Sequence, residues 1–418
     1  MINKRLVIIG GGSAGMAAAI KAYELGERDI LIIEKNSFLG GILNQCIHNG
    51  FGLHEFKEEL TGPEFMTRFS KKVNELGIEC SLNSNVLSIS NDKVISYSSS
   101  LQGLVQVKAE AIILTTGCYE RNAGAIQIPG DRPSGIYTAG QAQLYANCYG
   151  YLVGKRVFIL GSGDIGLIMA RRMTLEGALV LGVAELMPYS AGLNRNIVQC
   201  LQDFNIPLYL NHTVKKVTGD SHLEKVTIAE VDKNMQFIEG TEKEFECDCL
   251  LLSVGLLPNV DLCNKLSLHF SKTRGVKVNQ AMESEIPGIF SAGNVLHVHD
   301  LVDYVVDEAR EAAEGAVSYL KGELKHSGHI YDVNPGNGIN YVVPQKIFID
   351  DVKDSCSFKF RVSKPMKDIN IYITEGNNVI RKIFKPAIVP SEMEIVKVKK
   401  ELFKKESNEI KVYVEEKK

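Results

Sequence analysis

None of the nine cysteines in the chain stands in a CxxC or CxxxxC pair. The two closest, Cys247 and Cys249, are separated by one residue. This spacing argues against the redox dithiol of a thiol–disulfide oxidoreductase and against a cysteine run that holds an iron–sulfur cluster. Because we also expect no secretion signal, the cysteines are predicted to be free thiols, several of them packed as small apolar side chains.

Long apolar runs and an excess of one charge are also missing. No run approaches the eighteen apolar residues of a membrane-spanning helix, and a net charge of −3 gives no electrostatic footprint for nucleic acid. The first strand pattern begins almost at Met1, so we expect no signal peptide and predict a cytoplasmic location. The 418 residues, 45% hydrophobic and 23% charged, are typical of a globular protein with two or three domains.

The first 34 residues carry a βαβ pattern with a glycine-rich turn. Four apolar residues, Leu6–Ile9, precede Gly10, Gly12 and Gly15, and an Ala-rich helical run and a second apolar strand then lead to Glu34. In this GxGxxG spacing the glycines allow a tight turn, approach of the backbone to a pyrophosphate, and close packing of helix and strand. The helix start favours the phosphates, and the terminal acid accepts hydrogen bonds from a ribose. The pattern therefore predicts a dinucleotide site.

The same pattern returns later in the chain. The strand VFIL precedes Gly161, Gly163 and Gly166, a helical run follows, and the next strand ends at Glu185. Two copies of one βαβ signature predict two dinucleotide sites in a single chain.

Further strands and a long helix follow the two motifs. The run Ala111–Thr116 ends at Gly117, and Gly288–Ala292 predicts a short strand. A helical run begins near Leu301, for which we predict Asp300 as the N-cap and Asp303 in the first turn.

From about residue 339 the pattern changes to period-two alternation. Six short runs of this kind predict a small antiparallel β-sandwich or barrel. From residue 331 onward there are 17 Lys and Arg against 13 Asp and Glu, and no catalytic motif is evident. A docking or dimerisation module is the interpretation that we favour.

Residues 4 to about 325 resemble the flavoproteins with two dinucleotide-binding domains, a family that includes disulfide reductases, NADH oxidases and ferredoxin reductases. The resemblance rests on GGGSAG with Glu34, TTG at 115–117, GSGDIG with Glu185, SVGLLPN, and FSAGN at 290–294. It implies an α/β fold with two Rossmann-like three-layer domains, an FAD domain with an NAD domain inserted, followed by the small C-terminal antiparallel β domain. The implied boundaries are 1–120 and 280–327 for FAD, 150–260 for NAD(H), 121–149 and 261–279 as connecting segments, and 335–418 for the β domain.

The resemblance also implies FAD and NAD(H) as cofactors. No metal site is predicted, because the sequence offers no further ligands at suitable spacing around His297 and His299. The predicted cofactor-binding residues are Gly10, Gly12, Ser13, Ala14, Gly15, Glu34, Lys35, Gly41, Val86, Thr116, Gly117, Gly161, Gly163, Asp164, Ile165, Glu185, Gly255, Gly293, Asn294 and Leu301. Asn294 stands where the family usually carries an Asp that binds the flavin chain. Glu185 is expected to accept the ribose hydroxyls of NADH and to repel the 2′-phosphate of NADPH, so NADH is the preferred nucleotide.

Four residues are candidates for catalysis. Cys46 and His48 lie in a Gly-rich loop that by family position faces the flavin, where Cys46 is either a thiolate cycling through sulfenic acid or a buried thiol. His297 and His299 follow the flavin-contacting turn and are either proton donors or structural loop histidines. For Arg121 a cofactor phosphate, a partner carboxylate and a domain-interface ion pair stay open.

Four further stretches give a narrower resemblance: GGILNQCIHNGFG, TTGCYERNAGA, GIYTAGQAQ and NVLHVHDLVDYV. They are similar to flavoproteins found with anaerobic glycerol-3-phosphate dehydrogenase-like proteins, and to the FAD/NAD subunits of amino-acid, opine and sarcosine dehydrogenase complexes. This implies a subunit that exchanges electrons between NAD(H) and a partner dehydrogenase or iron–sulfur subunit. The alternatives are a stand-alone NADH oxidase or peroxidase using Cys46, and a non-catalytic FAD-containing interaction subunit.

Overall fold

A computed structural model describes residues 1–416 and divides the chain into two compact units. One unit joins Met1–Cys118 to the chain from Pro258 onward, and the other is Tyr119–Leu257. The finer domain boundaries given above stay predictions.

Residues 1–118 build most of a twisted sheet covered by two helices. The elements are β1 (Ile2–Ile9), α1 (Ser13–Glu24), β2 (Ile30–Ile33), β3 (Asn49–Phe51), β4 (Leu60–Thr61), α2 (Gly62–Glu75), β5 (Glu79–Ser81), β6 (Ser84–Ile89), β7 (Val94–Ser99) and β8 (Gly103–Leu114). The sheet order is β5-β2-β1-β8-β7-β6, with β5, β2, β1 and β8 parallel. Both faces of the central strand are covered, and Leu6, Val7 and Ile8 are completely buried. This explains the continuous apolar run in the sequence.

The unit Tyr119–Leu257 repeats the three-layer plan. Its elements, with the two boundary strands, are β9 (Cys118–Glu120), β10 (Ile136–Thr138), α3 (Ala139–Tyr149), β11 (Arg156–Leu160), α4 (Asp164–Leu175), β12 (Leu179–Glu185), α5 (Asn194–Cys200), β13 (Leu208–Leu210), β14 (His212–Thr218), β15 (Lys225–Glu230), β16 (Lys243–Glu246), β17 (Cys249–Leu252) and β18 (Leu256–Pro258). A parallel sheet of order β10-β17-β11-β12-β13 lies beside the antiparallel sheet β14-β15-β16. Because side chains alternate along a strand, Val157 and Ile159 pack in the core with the helices, and Phe158 and Leu160 in the core with β14 and β15.

The chain returns to the first sheet after Pro258. The elements here are β19 (Ile289–Ser291), which pairs in parallel with β8, and α6 (Val302–Leu320), which packs on α1. The small residues Ala17, Ala18 and Gly315 lie on these helices, and a Cβ at Gly315 would approach the carbonyl oxygen of Ala281 to 2.2 Å. The seventh strand of the first sheet is thus supplied from late in the sequence.

The C-terminal region forms two small sheets around one core. Its strands are β20 (Ile330–Pro335), β21 (Ile339–Val343), β22 (Lys346–Phe348), β23 (Ser355–Val362), β24 (Met366–Glu375), β25 (Asn378–Ile388), β26 (Glu394–Lys399) and β27 (Glu409–Glu416). The sheet orders are β22-β20-β27-β24-β25 and β21-β23-β26. Two details differ from the six predicted strands. Pro344 separates β21 from β22, and β20 adds a parallel partner to β27.

Short 3₁₀ turns complete the described chain, at Gly41–Gln45, Gln202–Phe204, Asp261–Cys263, Gly293–Val295, Ile349–Asp351 and Lys400–Leu402. The predicted α/β fold with two dinucleotide-binding domains is confirmed. No helix within residues 1–416 is long and apolar enough to cross a membrane.

The predicted cap of the long helix is wrong. Leu301, not Asp300, is the N-cap of α6, and Asp300 accepts hydrogen bonds from Arg361 and from the backbone N–H of Met393 at 3.1 and 3.2 Å. Asp303 does lie in the first turn, where it accepts from the backbone N–H of Glu55 at 2.7 Å.

Candidate active site

The three glycines of the first motif differ in the space around their Cα atoms. A Cβ at Gly10, whose φ is +106°, would lie 2.4 Å from the carbonyl oxygen of Thr115, and one at Gly15 would lie 1.8 Å from that of Gly10. A Cβ at Gly12 would meet no described atom within 4 Å. Gly10 and Gly15 are therefore required by the fold itself, whereas Gly12 leaves open space against the backbone, as a ligand phosphate needs.

The start of α1 faces this open space. Gly12 is its N-cap, and within residues 1–416 no side chain caps the helix and no acid lies in its first turn. The N–H groups of the first turn and the helix dipole are thus available to an anion. This arrangement fits the pyrophosphate of FAD.

Glu34 is held against the glycine turn. Its Oε2 accepts from the backbone N–H of Gly11 at 2.7 Å, and its Oε1 accepts from that of Asn36 at 2.8 Å. The residue is 5% exposed. Since a carboxylate offers about four lone-pair sites, acceptor capacity remains for ribose hydroxyls.

The second motif repeats this geometry. Oε2 of Glu185 accepts from the backbone N–H of Ser162 at 2.9 Å and from its hydroxyl at 2.6 Å, and Oε1 accepts from the N–H of Met187 at 3.0 Å. A Cβ at Gly161 would lie 2.1 Å from the carbonyl oxygen of Ser253, and one at Gly166 would lie 2.6 Å from the Ser253 Cβ. The second turn is therefore built on Ser253 as the first is built on Thr115.

A segment after β12 is fastened to the second turn. The carboxylate of Asp164 accepts from the backbone N–H of Leu193 at 2.8 Å and from the amide of Asn196 at 2.6 Å, and the Ser162 hydroxyl accepts from the N–H of Ala191 at 2.9 Å. These contacts fix the rim of the predicted NAD(H) site before any ligand binds.

Residues 293–300, here called the histidine loop, connect β19 to α6 and are organised by Glu308. Its Oε1 accepts from the backbone N–H of Gly293 at 2.8 Å, and its Oε2 accepts from His297 Nε2 at 2.8 Å. Because a carboxylate only accepts, His297 carries its proton on Nε2, and its Nδ1 accepts from the Tyr341 hydroxyl at 3.2 Å. Burial lowers the pKa of His297 to about 4, so the imidazole is neutral at pH 7.

His299 points its other nitrogen into the same cluster. Its backbone N–H and its Nδ1 donate to Oδ1 of Asn294 at 3.0 and 3.2 Å, so the ring directs Nε2 away from that contact. The side chain is 1% exposed, and Nε2 has no hydrogen-bond partner among the described residues. It lies 3.5 Å from Oε2 of Glu308.

A lysine from the C-terminal region completes the cluster. Lys359, on β23, places Nζ 3.1 Å from Oε2 of Glu308 and also pairs with Glu311. Burial alone would raise the pKa of Glu308, but the Lys359 ammonium holds it well below its usual range. Burial lowers the pKa of Lys359, whereas the carboxylates of Glu308 and Glu311 raise it. The net shift of this pKa is upward. Both groups are therefore charged at neutral pH.

Sequence reasoning missed Glu308, Lys359 and Tyr341. A signal for Glu308 was present, because it stands in the apolar stripe of α6, three residues after Val305 and four before Ala312, both of which are buried. A charge in such a stripe needs a buried partner. Nothing in the sequence identifies that partner as Lys359.

The other candidate catalytic residues lie elsewhere in the first unit. Cys46 is buried, with Sγ 3.5 Å from the carbonyl oxygen of Ile42, and His48 is half-buried, with Nδ1 3.0 Å from that of Asn49. The structure brings the rings of His297 and His299 to 4.3 Å from each other. Asn294 directs its amide nitrogen to Cys118 Sγ, 3.6 Å away.

The remaining predicted cofactor residues mostly lie at strand and helix ends. Thr116 donates its hydroxyl hydrogen to the carbonyl oxygen of Asn259 at 2.8 Å, and a Cβ at Gly41 would lie 3.2 Å from the Gly12 Cα. The positions of the others are Ser13 and Ala14 in the first turn of α1, Lys35 after β2, Val86 in β6, Gly117 after β8, Gly163 as the N-cap of α4, Ile165 in its first turn, Gly255 before β18, and Leu301 as the N-cap of α6. Arg121 donates its backbone N–H to the carbonyl oxygen of Gly255 at 3.1 Å.

The cysteine spacing predicted thiols without disulfide bonds, several of them packed as small apolar side chains, and the structure agrees with this. None of the nine cysteines forms a disulfide within residues 1–416, and six of them are buried. Burial raises the pKa of Cys247, Cys263 and Cys356 to about 12, so these three are poor nucleophiles at neutral pH.

Known proteins with similar sequences or folds are consistent with two dinucleotide-binding motifs in this chain. A family model described as pyridine nucleotide-disulphide oxidoreductase matches residues 4–316. A dihydrolipoyl dehydrogenase of Buchnera aphidicola subsp. Baizongia pistaciae is 25% identical over 395 residues, which cover 82% of this chain and 78% of that protein. The small chain of glutamate synthase (NADPH) of Escherichia coli K12 is 24% identical over 352 residues, 76% of this chain and 69% of that one. The thioredoxin reductase structure of T. acidophilum superposes with a TM-score of 0.62 at 22% identity, covering 76% of this chain and 99% of the other.

Proposed function

Since the chain belongs to the pyridine nucleotide-disulphide oxidoreductase family, we propose that it transfers hydride between NADH and FAD and exchanges electrons with a partner redox subunit. Members of this family are FAD-dependent pyridine-nucleotide oxidoreductases, and this chain is one of them. The finer proposal is that the partner belongs to a dehydrogenase complex of the glycerol-3-phosphate or amino-acid type.

The observation that carries the proposal is the doubled contact between a strand-end carboxylate and a glycine turn. Glu34 accepts from the N–H of Gly11 at 2.7 Å, and Glu185 accepts from that of Ser162 at 2.9 Å. Each acid thereby lies beside the glycine turn and the helix start of its own motif, the arrangement that dinucleotide sites use. One chain with two such sites is suited to pass hydride from one dinucleotide to the other.

The cysteine pattern supports a partner rather than a disulfide substrate. Among residues 1–416 no disulfide forms, and the sequence has no CxxC pair. A relative at 24% identity, the glutamate synthase small chain, bears a name that makes it one chain of a larger enzyme. Electrons that do not reach a protein dithiol need another exit, which a partner subunit would supply.

The residues of this chain bind, orient and hold protons. When bound, FAD supplies the redox chemistry, since it accepts hydride and releases electrons. Gly12 and the start of α1 would hold its pyrophosphate, Glu34 its ribose, and Glu185 the ribose of NADH. Within the histidine loop, the open Nε2 of His299 would be available to exchange a proton.

Anaerobic mixing of the FAD-loaded protein with NADH, and separately with NADPH, tests the proposal. We expect fast bleaching of the flavin by NADH, slow bleaching by NADPH, and sluggish recovery when oxygen is admitted. Fast recovery in oxygen would replace the partner proposal with an oxidase, and loss of peroxide turnover in Cys46→Ser would then make it a peroxidase. No bleaching by either nucleotide would leave an FAD-containing interaction subunit.

A further inference from the structure

Lys359 enters the first unit's core from the C-terminal region. On β23 its neighbours Phe358 and Phe360 are completely buried in the core between the two small sheets, so Lys359 points to the opposite face. There its side chain, 4% exposed, reaches Glu308 and Glu311 on α6. A lysine buried this deeply is rare unless it is paired.

Glu308 connects this lysine to the histidine loop. The carboxylate accepts from the N–H of Gly293 at one end of the loop and from His297 Nε2 within it, while Lys359 lies at 3.1 Å from the same Oε2. If the ammonium were absent, a carboxylate that is 0% exposed would bind a proton itself or draw one onto the His297 imidazole. Either event would end the pairing of a neutral Nε2–H with a charged carboxylate, which fixes the tautomer of His297.

We propose that Lys359 is a positioning residue for the histidine loop: through the Glu308 carboxylate it keeps His297 as the neutral Nε2–H tautomer, which leaves Nε2 of His299 as the open nitrogen of the loop. The proposal rests on the proposed function, because it is the predicted flavin contacts of Gly293 and Asn294 that give the loop its role. It assigns the C-terminal region a part in the redox site, in place of docking alone.

The other polar and charged groups around the histidine loop are compatible with this role of Lys359. Glu311, from α6, is 32% exposed and shares the Lys359 ammonium, and the Tyr341 hydroxyl, from β21, donates to His297 Nδ1. At the far end of the loop Asp300 pairs with Arg361 at 3.1 Å, and Arg361 also donates to the carbonyl oxygen of Val298 at 3.2 Å. One lysine and one arginine of the same strand, β23, therefore stabilise the two ends of the histidine loop, Lys359 through Glu308 and Arg361 directly.

A bound metal ion is the competing explanation of the cluster. His297, His299 and Glu308 place ligand atoms within 4.8 Å of one another. However, the Lys359 ammonium already contacts the oxygen that such an ion would bind, and a second cation beside it would be repelled. The hydrogen bonds of His297 also account for both of its nitrogens without a metal.

The test follows the imidazoles and not the activity. In the FAD-loaded oxidised protein, without NADH, the nine histidines are labelled with ¹⁵N and the His297 signals are assigned with His297→Gln. In the unaltered protein we expect the Nε2–H tautomer at pH 7. Lys359→Met should raise the titration midpoint of His297 by about one pH unit or more, because the loss of the positive neighbour makes proton uptake by the His297–Glu308 pair easier. Lys359→Arg should restore the midpoint, and Lys405→Met, which removes an ion pair with Asp350 on the same domain, should not move it.

Three results would overturn the proposal. They are an Nδ1–H or doubly protonated His297 at pH 7 in the unaltered protein, an unmoved midpoint in folded Lys359→Met, and one tightly bound divalent ion per chain by elemental analysis. The first and third do not need Lys359→Met, so misfolding of that variant does not protect the proposal. No step of this measurement needs electron transfer. Failure of NADH to bleach the flavin would therefore contradict the proposed function, while the tautomer and titration midpoint of His297 could still be measured.

Discussion

Oε2 of Glu34 accepts a hydrogen bond from the backbone N–H of Gly11 at 2.7 Å. Glu34, the residue directly after β2, thereby contacts the turn that follows β1, 23 positions earlier. The same contact joins Glu185 to Ser162. In both motifs a hydrogen bond from the glycine turn, which would bind the phosphates, positions the acid that would bind a ribose. The phosphate-binding and ribose-binding parts of each dinucleotide site are therefore directly connected.

Replacement of the Glu34 side chain should weaken FAD binding strongly. Glu34→Ala removes the acceptor for two backbone N–H groups and for the ribose. Since a hydrogen bond to a charged group contributes about 1.5–3 kcal/mol, we expect the Kd for FAD to rise tenfold or more. Quenching of FAD fluorescence on titration with apoprotein measures it.

Glu34→Gln is the matched control, because its amide oxygen still accepts from Gly11 while the charge is lost. We expect a Kd between those of the unaltered protein and Glu34→Ala. Equal Kd values for all three would show that the ribose lies elsewhere.

Gly12 and Gly15 should separate binding from folding. A Cβ at Gly12 meets nothing within 4 Å, so Gly12→Ala should fold with unchanged stability but bind FAD poorly, because the methyl group fills the space for the pyrophosphate. A Cβ at Gly15 would lie 1.8 Å from the Gly10 carbonyl oxygen, so Gly15→Ala should lose about 3 kcal/mol of apoprotein stability. Urea unfolding of the two apoproteins and their FAD titrations make the comparison. A stable Gly15→Ala would contradict the turn geometry.

The parts of the fold that local patterns determine could be predicted from the sequence, and the parts that depend on distant partners could not. Both glycine turns, their strand-end acids and helix α6 rest on residues within about one βαβ unit. Glu308 and Lys359 are 51 positions apart, and the apolar stripe around the one says nothing of the alternating strand around the other. Asp300 has good N-cap chemistry, yet Arg361 and Met393, both distant in sequence, take its carboxylate. The parallel pairing of β20 with β27 was missed for the same reason.

Loss of the Glu185 charge should relax the preference for NADH. In Glu185→Gln the side chain no longer repels the 2′-phosphate of NADPH, although one oxygen still accepts from Ser162. We expect the ratio of kcat/KM for NADH over NADPH to fall about tenfold, which corresponds to about 1.4 kcal/mol. Stopped-flow flavin reduction with each nucleotide measures the ratio.

Glu176→Gln, at the C-terminal end of α4, is the control for charge loss alone, because it breaks only a partly exposed pair with Arg172. Its nucleotide ratio should equal that of the unaltered protein. An unchanged ratio in Glu185→Gln would remove Glu185 from nucleotide selection.

The stability of the apoprotein should fall as the pH drops from about 6.5 to about 4 because of His297. Burial lowers the pKa of this imidazole from 6.5 to about 4, so over this window the unfolded chain binds a proton that the folded chain refuses. The stability contribution is complete above pH 6.5 and is lost as the pH falls through the folded pKa, by about 3 kcal/mol in all. Urea unfolding at half-unit pH steps measures it.

His297→Gln should flatten the stability profile in this window, because the amide still donates to Glu308 but does not titrate. The acid loss below about pH 4.5 should persist in the variant, since the lowered pKa of Glu308 contributes there with the same sign. His222→Gln, which changes an exposed histidine of the other unit, should keep the slope between pH 6.5 and 4. If His297→Gln kept that slope as well, the proton would be taken up by another group, and the neutral His297 on which the histidine loop is built would be wrong.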